Sequence, residues 1–156
     1  MRSAVSVAFL VPAVALAVLS CPLSVYAGID DKRPDAQSIA ALELKASQAQ
    51  PKEQCFLYAE LVHQMIEFSS AQYADGQIEK AAETLKHVNT FAQKIHMVLA
   101  NDEKRLKNAQ ILLRHTAFRL TELLHASSAE DRPLVEQTLA QVNQIQTETM
   151  MQVFRK

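Results

Sequence analysis

The chain has 156 residues, and 49% of them are hydrophobic, which is enough for one packed domain. Its 16 Lys and Arg against 17 Asp and Glu give a net charge of −1, so the surface has no excess of positive charge to attract nucleic acid. With two glycines and five prolines in all, a sheet protein is excluded, because strands need turn residues far more often.

The first 27 residues read as a cleaved secretory signal peptide. Arg2 precedes an apolar run from Val5 to Leu19, and the segment ends in Val25-Tyr26-Ala27, with small residues where signal peptidase needs them. The run is too short to span about 30 Å of hydrocarbon and Pro12 interrupts it, so no stable membrane span is expected after cleavage. Val18-Leu19-Ser20-Cys21 also resembles a lipobox, although Leu19 is bulky where that signal takes a small residue. Export places the protein in the periplasm or outside the cell. Cleavage after Ala27 removes one basic residue and no acid, leaving 129 residues with a net charge of −2. Residues 28–37 then form a polar, flexible lead-in, and residues 38–156 a helical domain.

Within that domain a short Ala-rich helix is expected from Ser38 to Gln50, with Ile39, Leu42, Ala46 and Ala49 on one side. Pro51 suits the first position of a second helix, where its missing N–H costs nothing. This helix runs to about Asp75, and Gly76 ends it in the left-handed conformation. It is apolar on two faces. Cys55, Tyr58, Val62, Met65 and Ser69 make one stripe, and Leu57, Leu61, Phe68 and Ala71 another. Its polar strip is narrow, formed by Glu53, Glu60, Gln64 and Glu67. Such a helix needs cover on two sides, so it is either the centre of the core or the contact with a second subunit.

After Gly76 a seven-residue period sets in. Ile78, Leu85, Ala92, Leu99, Leu106, Leu113 and Leu120 are joined three residues later by Ala81, Val88, Ile95, Ala109, Thr116 and Leu123. This is the seam of a coiled coil or antiparallel bundle. Asp102 interrupts it. Either one helix of roughly 70 Å runs from Gln77 to His125, or the chain turns near Asn101 with Asp102 as a new cap. The last helix is expected to start at Ser128, and Val135, Leu139, Val142, Ile145, Thr149 and Val153 make its apolar face. The fold class is therefore all-α, an antiparallel helical bundle of three to four long helices.

The segment from Tyr73 to Ala82, Tyr-Ala-Asp-Gly-Gln-Ile-Glu-Lys-Ala-Ala, resembles the turn between the two helices of a tetratricopeptide repeat. There a glycine stops the first helix and small alanines let the second pack close. The chain as a whole resembles small exported helical bacterial proteins of unassigned role. Neither resemblance implies functional residues.

Candidate chemistry is sparse. Cys55 is the single cysteine left after cleavage and lies in the first turns of a helix, where a thiolate is favoured. It reads either as an intermolecular disulfide or redox thiol, or as a small buried hydrophobe. Of the five histidines, Glu122-Leu-Leu-His125 alone has the spacing of a carboxylate-bridged metal pair; the plain alternative is a surface ion pair. His63, His96 and Met97 are the candidate ligands for a metal or a haem, although Cys-x-x-Cys-His is absent. Lys104, Arg105, Lys107, Arg114 and Arg119 form a basic stretch with Phe118 among them, read as a solvated face or as a docking surface for an acidic partner or lipid headgroups. No Gly-rich phosphate loop or nucleophile elbow occurs. The expectation is a non-catalytic protein with no cofactor. It would bind a protein partner or form a homo-oligomer through the second helix or the hairpin around Gly76, with Cys55, Leu57, Leu61 and Phe68 as contact residues. The alternative is a periplasmic metal- or haem-binding bundle.

Overall fold

A computed structural model describes residues 33–97 and 103–153. The expected signal peptide and the seam positions Leu99 and Asp102 lie outside the described residues. Five helices and no strand occur among the described residues: α1 (Ala36–Gln48), α2 (Pro51–Ala74), α3 (Ile78–Met97), α4 (Glu103–Ala126) and α5 (Arg132–Val153). No helix among them is long and apolar enough to cross a membrane.

Two helix starts differ from expectation, and in both an aspartate is responsible. α1 begins at Ala36, inside the expected lead-in, because Asp35 caps it: Asp35 Oδ1 accepts from Ser38 N at 2.7 Å, and Ser38 Oγ accepts from Asp35 N at 3.0 Å. Ser38 is thus the third helical residue and not the first. α5 begins at Arg132 and not at Ser128. Ser128 Oγ donates to Asp131 Oδ2 at 2.9 Å and accepts from Asp131 N at 3.2 Å, which closes a turn before the helix. The Asp131 carbonyl then takes the first helical N–H groups, from Leu134 and Val135. α2 starts at Pro51 and stops at Gly76 as expected; Gly76 has φ 74°, which costs a residue with a Cβ about 1–2 kcal/mol.

The seam residues Ala81, Leu85, Val88, Ala92, Ile95, Leu106, Ala109, Leu113, Thr116, Leu120 and Leu123 are all buried. Ile78 is the exception at 42% exposed, since it is the first residue of α3 and lies at the end of the packed stack. The period does not describe one rod. α2 packs against α3 and also against α4, which a continuous helix from 77 to 125 cannot do.

The direction of packing follows from the cross-links. Glu53–Arg105, His63–Thr116 and Glu67–Arg119 join α2 to α4 at sequence separations of 52, 53 and 52, so these two helices run parallel in constant register. Gln141 Nε2 donates to the Asn89 carbonyl across α3 and α5 at the same separation of 52. α2 and α3 form one hairpin and α4 and α5 another. The four helices follow one another round the core in the order α2, α3, α5, α4. α1 lies on α2, with Leu42 and Ala46 buried there.

Leu61 sits at the middle of α2 and is fully buried. Leu61→Ala should lower unfolding free energy by about 2–5 kcal/mol, as a cavity in a core covered by three helices cannot easily collapse. Urea melts followed by circular dichroism measure this. A loss below about 1 kcal/mol would show that α2 is not central.

Candidate functional site

Cys55, Leu57 and Leu61, three of the four expected contact residues, belong to the core. The Cys55 side chain is fully buried. Phe68, the fourth, is half-buried. Of the two readings that the double apolar face allows, the interior one fits this placement: α1, α3 and α4 all cover α2. One edge of the helix is closed by a stack. The Tyr58 and Phe91 rings lie 6.3 Å apart, with Lys94 Nζ 5.4 Å and 4.8 Å from their centroids.

The polar strip of α2 and the basic stretch of α4 face each other along one seam. Arg105 Nη2 donates to Glu53 Oε1 at 2.8 Å near one end. Near the other, Arg119 Nε donates to Glu67 Oε1 at 2.7 Å and Arg119 Nη1 to Glu122 Oε2 at 2.9 Å. These bonds, Glu122 first, raise the already high pKa of Arg119. Glu122 is thereby engaged with Arg119, and His125 at the expected metal-pair spacing is an exposed side chain.

His63 lies midway along this seam. Thr116 Oγ1 donates to the Leu112 carbonyl at 2.8 Å, so it accepts from His63 Nδ1 at 3.1 Å. The neutral ring then carries its proton on Nδ1 and leaves Nε2 as an acceptor. Burial lowers the His63 pKa below 6.5, Glu67 opposes this, and His115 and Arg119 add to it. The side chains of His96 and Met97, the other two candidate ligands, lie outside the described ones. Among the described residues no three His, Cys, Asp or Glu side chains come together as a metal site would need.

Beside His63 an open groove of about 490 Å³ runs between α2 and α4, lined by His63, Glu67, Arg114, His115, Phe118 and Arg119. A larger hollow of about 710 Å³ lies where the C-terminal ends of α2 and α4 meet the 127–131 turn. Tyr73 Oη is buried there, and among the described residues its approach to the Asp131 carboxylate falls short of full hydrogen-bond geometry. Its pKa is raised by burial first and by the nearby Asp131 carboxylate second.

The surface that the sequence left undivided is the outer line of α4. Phe118 is 64% exposed and Ile111 is 49% exposed. They are seven residues apart, so they stand on one line about 10 Å apart. Lys104, Lys107, Arg114 and His115, all exposed, surround them. The signal was present: Ile111 and Phe118 share a heptad position that is off the buried seam. Comparison with protein-family models, curated proteins and solved structures gives no match for this chain.

The lowered pKa of His63 makes stability depend on pH with a defined sign. The fold holds the neutral ring, and the unfolded chain takes up a proton near pH 6.5. The stabilisation is therefore present above that pH and is lost as pH falls through the folded value. Melting temperature should drop between pH 7 and pH 5, and His63→Gln should flatten that part of the profile. An unchanged slope in the variant would mean that other groups set it.

Proposed function

We propose that this chain is an exported helical protein of the cell envelope that acts by binding another protein and does no chemistry of its own. The observation that carries this reading is the pair Phe118 and Ile111. Two large apolar side chains stand exposed on one rigid helix, while the rest of that helix buries its apolar stripe. Isolated apolar residues on a surface are common, but two on one line at coiled-coil spacing form a seam for a partner helix. Export rests on the sequence of residues 1–27, and the absence of catalysis on the lack of any phosphate loop or nucleophile motif. Binding through α4 is preferred to binding through α2, three of whose four expected contact residues are enclosed.

Two measurements test this. Intact mass of the protein recovered from the envelope should correspond to a chain starting at Gly28. A photo-crosslinking residue at position 118 should give discrete adducts in cells, whereas one at the exposed position 87 on α3 should not. Equal labelling from both positions, or none from 118, would remove the basis for a binding role of this face.

A further inference from the structure

The larger hollow, of about 710 Å³, falls within the size range of small-molecule pockets, about 300–1,000 Å³. It has walls of two kinds. Ala74, Ile78, Leu123 and Ala126 form an apolar side. Ile78 is 42% exposed there, although Ala81 and Leu85, the next seam residues of α3, are fully buried. The other side is acidic. Glu67, Glu122, Glu130 and Asp131 line it, with Arg119 as the one cationic residue. Arg119 is shared by Glu67 and Glu122, so a single guanidinium meets two carboxylates. Glu130 and Asp131 make no ion pair among the described residues, and the neighbouring His125 and Arg132 do not line the hollow. The lining carboxylates thus outnumber the lining cation by three. Tyr73 Oη is buried beside them. The nearby Asp131 carboxylate draws the hydroxyl proton, which leaves the oxygen lone pairs for an N–H donor.

We propose that this hollow binds a small organic amine in its ammonium form. The charged head lies among Glu130, Asp131 and Tyr73 Oη, and the apolar body rests on Ile78, Leu123 and Ala126. A chelated metal ion fits less well, because no three metal-binding side chains come together among the described residues. The carboxylates are spread round the space, which suits a cation with a body of its own. An anion of the same shape meets the carboxylate excess and is repelled.

Calorimetric titration of the purified protein with three soluble probes of one shape tests this: 2-phenylethylammonium, 2-phenylethanol and 3-phenylpropionate. The ammonium is expected to bind, and the alcohol and the carboxylate about tenfold or more weakly. Glu130→Gln with Asp131→Asn should weaken the ammonium about tenfold. Asparagine keeps the turn and capping roles of Asp131, so circular dichroism should match the parent. If that double variant loses helix, Glu130→Gln alone, at an exposed position outside the helices, should still cost about threefold. Tyr73→Phe, which removes only the oxygen, should also cost about threefold. Glu83→Gln, exposed on α3 and away from the hollow, should change nothing. Equal binding of all three probes, or ammonium binding that the Glu130 and Tyr73 variants leave unaltered, would overturn the assignment. So would no binding of the ammonium at all, its displacement by millimolar magnesium at constant ionic strength, or capture of an oligolysine peptide in preference to it.

Discussion

Everything in this fold depends on covering α2. The helix carries apolar side chains round most of its circumference, and leaving them in water would cost about 25 cal/mol for each Å². Its neighbours arrange themselves accordingly, α3 on one flank, α4 on another and α1 across a third. Small residues allow the closest of these approaches. Ala59 and Ala81 are fully buried, and Ser69 Oγ donates to the Ala81 carbonyl at 3.1 Å, a bond possible only where the two backbones come near. Thr84 to Gln72, at 2.9 Å, fastens the same hairpin one turn further on.

Because α3 occupies one flank, α4 must take its place on another while running in the same direction as α2. Its polar contacts then set the register. The ion pairs at Glu53–Arg105 and Glu67–Arg119 are partly exposed and so contribute little to stability individually. Their effect is on specificity. A slide of one turn would separate both pairs and would leave His63 and Thr116 without each other in a half-buried seam. Thr116 can serve there because its hydroxyl bonds its own helix at Leu112, as Thr138 and Thr149 do at Leu134 and Ile145. Each buried threonine is thus satisfied locally.

The helical class, the limits of α2 and the inward stripe of α3 and α4 were legible because a period of seven apolar residues is a strong and local signal. The starts of α1 and α5 were less so. Asp35 with Ser38, and Ser128 with Asp131, both offer a serine and an acid three residues apart, and only the hydrogen bonds decide which member caps. The direction of α4 beside α2 was not legible at all from apolar pattern, since a stripe of leucines packs equally well either way. Charge carried the missing information. Acids at 53 and 67 match arginines at 105 and 119 with one constant offset, and constant offset means parallel helices. The same blindness hid the burial of Cys55, Leu57 and Leu61 on α2: a sequence shows that a helix is doubly apolar, but not how many neighbours it already has.

The basic stretch of α4 divides cleanly once those neighbours are known. Arg105 and Arg119 point along the seam and are held by α2. Lys104, Lys107 and Arg114 point away from it, on the side where Ile111 and Phe118 stand in solvent. The buried stripe and the α2 contacts position the helix. Exposed cations repel one another, and exposed aromatic and branched residues invite association. A surface that carries both is consistent with the binding role proposed for α4.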